Sequence, residues 1–262
     1  MNYFRIVCNY VVIIASFAAS LANLLAQGNA GDSAPIESRF IVDMPTAGVL
    51  PKGALGVYVN SFPDGGLLAD ASYGLSSWLN VGVSFGVNNL VGSGKIVLQD
   101  YPAVHLRARI FNETLAIPAI MLGVNTQGRG GFIGNRFQTQ PAGIFAAASK
   151  TLKWPLGTVS GHLGLCYSLS PDHPAKQIPN IFLGAEHSIG PFLSAAAEYN
   201  PTLDERFPSA VYLREGGMLN VAVRCSVMAG TTLEIQFRDI LQNLTNMQGI
   251  SRTLGIEFIR SF

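Results

Sequence analysis

The chain has 262 residues, 17 Lys and Arg against 16 Asp and Glu, and a formal net charge of +1. Charged residues make up only 13% and apolar residues 48%, where an ordinary soluble domain carries about 25% charge. The balanced charge argues against nucleic acid, which needs a concentrated Lys/Arg footprint, and the low charge excludes an intrinsically disordered chain.

Arg5 precedes an apolar run over residues 11–26 (VVIIASFAASLANLLA), and the polar stretch QGNAGDS follows. A charged start, an apolar middle and a small-residue exit predict a secretory signal peptide over residues 1–26, with cleavage after Ala26. Asn23 and the small residues of the run weaken the rival reading as an uncleaved anchor. No later stretch reaches about 18 uninterrupted apolar residues, so membrane helices are excluded.

Downstream, period-2 alternation marks about twelve segments: 53–62, 67–75, 79–88, 103–111, 117–126, 142–152, 158–169, 180–188, 192–200, 218–227, 231–238 and 252–262. Strands of about ten residues, tilted about 45°, cross a bilayer. The connections after even-numbered segments are short, and those after odd-numbered segments are longer, with 63–66 as the exception. That asymmetry is expected of a transmembrane barrel with short periplasmic turns and long outside loops. Residues 27–52, mixed in character, either pack into the lumen from the periplasmic side or hang free. In the last outside loop, 239–247 (DILQNLTNM) has room for a helical turn.

Alternation also sorts the faces: Leu233, Ile235 and Phe237 oppose Glu234, Gln236 and Arg238, and Leu106 and Ala108 oppose Arg107 and Arg109. A lipocalin-like barrel would show the same alternation turned inside out, so alternation alone does not choose. Two features favour the membrane. Tyr73, Trp78, Trp154, Phe192 and Phe262 gather at one end as an interfacial aromatic girdle. Leu254, Ile256 and Phe258 lead to a terminal Phe262, which resembles the C-terminal signature recognised by the barrel-assembly machinery; Arg260 departs from it. The expected architecture is an all-β, antiparallel up-and-down transmembrane barrel of about 12 strands over residues 53–262, solvated by outer-membrane lipid.

Pro45-Thr46-Ala47, Leu50-Pro51-Lys52-Gly53, Leu106-Arg107-Ala108-Arg109, Asn112-Glu113, Pro118-Ala119-Ile120-Met121-Leu122-Gly123, Gly128-Arg129-Gly130 and Ala148-Ser149-Lys150 follow one another in order. This series over residues 43–150 resembles YjbH-type proteins, outer-membrane barrels linked to exopolysaccharide production. The resemblance implies a role accessory to exopolysaccharide production or export, with polysaccharide or export components as partners. Family members are much longer, so this chain resembles one barrel unit.

Asp70, Arg107, Arg109, Glu186, Glu198, Arg224, Glu234, Arg238 and Glu257 share the inward parity. Charges in a low-dielectric wall need partners, so these nine form either a paired network filling the lumen or a selectivity lining for a small polar solute. The second reading makes the protein a passive or weakly selective pore. A third, a barrel-embedded lipid hydrolase, would use Ser160 and His162, which share a parity but sit in no nucleophile motif. No His/Cys/Asp cluster has ligand spacing, and Gly128–Gly131 lacks the ending of a phosphate loop. Neither enzyme activity, nor a cofactor, nor a metal is expected. By parity Cys166 faces the lumen and Cys225 the lipid.

Overall fold

A computed structural model describes residues 28–63, 65–92, 94–133, 136–139, 141–169, 178–203, 216–244 and 249–262. The expected signal peptide lies outside the described residues. Twelve strands form the wall: β1 (Ala54–Phe62), β2 (Gly66–Gly74), β3 (Leu79–Asn88), β5 (Ala103–Phe111), β6 (Ala119–Asn125), β9 (Gly143–Trp154), β10 (Gly157–Tyr167), β11 (Asn180–Ile189), β12 (Leu193–Asn200), β13 (Met218–Met228), β14 (Thr231–Arg238) and β15 (Ser251–Ser261). Each wall strand pairs antiparallel with its neighbours in the chain order of the wall, and β1 pairs with β15 from Ala54↔Ser261 to Asn60↔Gly255, which closes the ring. The expected twelve-strand barrel is therefore the observed one.

Three short strands lie outside the wall. β4 (Val97–Leu98) extends β3 beyond the rim, and β7 (Arg129–Ile133) pairs with β8 (Arg136–Thr139). The loop expected over 127–141 thus contains a hairpin. Of residues 239–247, where a helical turn is expected, 239–244 form a non-helical turn in which Asp239 and Gln242 hold φ of 54° and 56°, and 245–247 lie outside the described residues. The Asp239 carboxylate accepts from the Asn243 and Leu244 amides at 2.9 and 2.8 Å. Trp154 ends β9 and does not sit in the following turn.

Polarity across the wall decides the question that alternation leaves open. Gln236, Glu198 and Arg107 are 0%, 1% and 2% exposed, whereas Val83, Leu163 and Ile256 are 53%, 59% and 51% exposed. All twelve strands contribute apolar side chains to the outer surface. Exposed apolar side chains distributed around the ring are what a lipid-facing surface needs and a water-facing one avoids. The interior, conversely, carries many polar side chains: Asn60, Ser72, Asn80, Asn220, Gln236 and Thr253 are all buried. The barrel is the reverse of a lipocalin and matches a wall that faces lipid.

Candidate functional site: the occupied lumen

An eight-stranded barrel has an interior just wide enough for its own side chains, and sixteen to eighteen strands leave an aqueous channel. Twelve strands leave space between these limits, and residues 28–50 fill it. They enter at the short-turn end, where the Asp32 and Ser33 amides donate to the Gly190 and Pro191 carbonyls of the β11–β12 turn at 3.0 and 3.3 Å. Gly31 has φ +87°, and a Cβ there would come within 2.2 Å of the Pro191 carbonyl oxygen, so the chain crosses this rim only with glycine. The segment climbs to a tight turn, with Ile41 N–H donating to Met44 O at 2.8 Å, and returns with Thr46 N–H donating to Arg39 O at 3.0 Å. Phe40 and Pro45 face each other across this hairpin. It leaves at the same end through Lys52 and Gly53 into β1. Of the two readings open for 27–52, residues 28–50 follow the lumen-packing one.

A closed ring has no free strand edge, so inside the lumen the hairpin cannot pair with the backbone of the wall strands. Its buried amides and carbonyls still need partners, and wall side chains supply them. Glu198 Oε2 accepts the amides of Val42, Asp43 and Met44 at 3.0, 2.9 and 2.7 Å. Arg107 Nη2 donates to the carbonyls of Arg39, Thr46 and Gly48 at 2.8, 2.8 and 3.2 Å. Arg224 Nη2 donates to the carbonyls of Phe40, at 3.0 Å, and Ile41. Arg109 donates to Ala47 O, Ser149 Oγ accepts from Ala47 N–H at 2.9 Å, and Asn80 pairs with both main-chain groups of Leu50.

Side chains of the hairpin join the same network. Asp43 is held by Arg238 through Nη2 at 2.8 Å and Nε at 2.9 Å. Arg39 bonds Glu257 and Ser72, with Asp70 3.9 Å away. Glu37 bonds Arg109. Wall charges also brace each other: Arg224 binds Glu234 at 2.9 Å and Glu186 at 2.8 Å, and Asp70 faces His105 at 3.2 Å. Structurally, then, Asp70, Arg107, Arg109, Glu186, Glu198, Arg224, Glu234, Arg238 and Glu257 all sit inside, each bonded to the hairpin or to a wall residue that is. No periodicity marks the hairpin itself; the contiguous apolar pairs Ile41-Val42 and Val49-Leu50 were its only local hint.

At the other mouth, the β7–β8 hairpin leans inward. Arg129 lies over the Phe40 ring at 4.6 Å and Tyr58 at 5.9 Å, and Phe132 packs on Phe137 at 5.6 Å. Near the short-turn end a cavity of about 180 Å³ remains beside the hairpin. It contains Ser160 and His162, but Ser160 Oγ bonds Thr151 Oγ1 at 3.0 Å and His162 Nδ1 bonds Ser149 Oγ at 2.8 Å. The structure does not bring that pair together. Among the described residues no group of three His, Cys, Asp or Glu side chains is arranged to hold a metal.

Tyr73, Trp78, Trp154, Phe192 and Phe262 are all exposed at the short-turn end. Trp154 Nε1 donates to His187 Nε2 at 3.1 Å, and Arg260 lies over the Phe262 ring at 5.6 Å. Cys166 points inward and Cys225 outward.

Fold and interior together define a membrane-type β-barrel occupied by its own N-terminal hairpin. No family model and no curated protein matches the sequence. Among solved structures, one from a study of the in-meso crystallization of membrane proteins is similar at 13% identity, covering 80% of this chain and 84% of that one, with a TM-score of 0.43. Another, from de novo design of transmembrane β-barrels, is similar at 13% identity over 80% of this chain and 98% of that one, with a TM-score of 0.22.

Proposed function

We propose that the protein is a non-enzymatic outer-membrane barrel, sealed at rest by its own hairpin, that acts as an accessory of exopolysaccharide production. The observation that carries the membrane reading is the polarity of the wall, apolar outward and charged inward. An even strand count, short turns at one end and long loops at the other support an outer-membrane setting with the short turns periplasmic. The signal-like pattern of residues 1–26 supports export, and the alternation of Leu254, Ile256 and Phe258 in β15 supports handling by the barrel-assembly machinery. The accessory role is supported by the resemblance of residues 43–150 to YjbH-type proteins. The separate bonding of Ser160 and His162 argues against a hydrolase.

Liposomes carrying the refolded chain should not swell in neutral sugars of any size while the barrel shows folded, heat-modifiable gel mobility. Swelling with a size cut-off would establish an open pore instead. For the accessory role, deleting the gene should lower secreted polysaccharide and re-expression should restore it; an unchanged yield would overturn that role.

A further inference from the structure

We propose that the lumen is a binding site for polypeptide main chain, and that the hairpin over residues 28–50 is an exchangeable peptide ligand carried on the same chain. The wall addresses the hairpin chiefly through its backbone: three successive amides on Glu198, three carbonyls on Arg107 and two on Arg224. Side chains are read as well, with Arg238 on Asp43 and Glu257 on Arg39 as the two buried ion pairs. The ligand class this fits is a hairpin-forming peptide with an acidic residue at its turn and an arginine four positions earlier.

Topology permits exchange. The ring closes through β1 and β15 without any residue of the hairpin. Both legs of the hairpin pass through the short-turn end, so it leaves without threading and without separating wall strands. Its legs touch each other mainly near the tip, through Ile41–Met44 and Thr46–Arg39. What remains behind is a lumen with charged side chains that a second peptide can pair and an apolar cluster that it can cover.

The inference rests on the resting seal proposed above but not on the polysaccharide role. A chain that makes liposomes swell fails the seal; a sealed chain whose hairpin never exchanges fails only this inference.

The test inserts a specific-protease site between Lys52, which is exposed, and Gly53. The full chain is folded in detergent micelles, cleaved, and mixed with a fluorescent synthetic peptide of residues 28–52. Labelled peptide should enter the folded barrel and a scrambled peptide should not. Glu198→Ala, which strips the acceptor from three amides, should speed exchange about tenfold or more. If that variant does not fold, Arg107→Lys keeps a cation in the lumen while losing the guanidinium, and should act in the same direction. Arg238→Ala should erase the preference for this peptide over one carrying Asp43→Asn. Retention of the cleaved hairpin until the barrel itself unfolds, or equal uptake of the scrambled peptide, would overturn the proposal.

Discussion

From β13 through β15 and β1 to β5, the inner wall presents Arg224, Glu234, Arg238, Glu257, Asp70 and Arg107. From β6 to β11 the apolar Ala119, Met121, Phe145, Ala147, Cys166 and Phe182 dominate, all buried, beside Ser149, His162 and Glu186. The hairpin is sided to match. Ile41, Val42, Met44, Ala47 and Val49 join one apolar cluster with the second set, together with Ala196 and Ala222, while Arg39 and Asp43 turn to the charges. The apolar half gives burial without direction, and the charged half fixes position. Phe182 and Ile41 are both 0% exposed, and a Cβ on Gly184 would meet Ile41 Cγ2 at 2.8 Å and Ala197 O at 2.6 Å. That side is packed to the limit of a glycine.

Breaking the polar and the apolar contacts separately sharpens the contrast. Glu198→Ala should have the largest effect, because it leaves three buried amides without their acceptor and strips Asn220 of the shorter of its two. At about 1–3 kcal/mol per unsatisfied group, hairpin docking should weaken by several kcal/mol, and liposomes carrying the variant should swell. Glu198→Gln keeps an oxygen and should lose less. In the apolar half, Ile41→Ala should cost about 2–5 kcal/mol, seen as earlier thermal release of the hairpin, yet leave its register unchanged in hydrogen exchange. Arg107→Lys should cost about 1–3 kcal/mol and blur that register, since an ammonium lacks the planar fork. On the outer surface, Trp154→Ala should change partitioning into the bilayer by about 1 kcal/mol or less and leave the seal intact.

The smallest effect concerns the foot of the hairpin. Ser188 and Thr158 hold the Asp32 carboxyl below its ordinary value of 3.8, chiefly through the Ser188 hydroxyl. A lowered folded value means this anchor is fully present above the ordinary aspartate range and is lost as pH falls through the folded value. Fluorescence from a probe at the foot should therefore show a shift only in strong acid, and Asp32→Asn should abolish it.

Particular segments show how far residues alone reach. Residues 231–238 alternate without a break and form β14 with those bounds. The strand expected over 117–126 starts later, at Ala119, just after Pro118, which carries no N–H to donate to a ladder. Glu234 and Arg238 share a face by parity, and the structure turns that face inward; that Arg238 meets Asp43, 195 residues away, no local pattern states. Shared parity pairs His162 with Ser160, but cross-strand register puts Ser149 opposite it.

By itself, then, the sequence determined the twelve strands, the alternating short and long connections, and which residues share a face, because these follow from period-2 geometry and turn chemistry within about ten residues. Which face turns inward was decided only by the tertiary structure, since alternation reads the same in either sense. So was the filling of the lumen. Residues 28–50 carry no repeat, and their backbone partners, from Glu198 to Arg107 and Arg224, come within reach only when the ring closes around them.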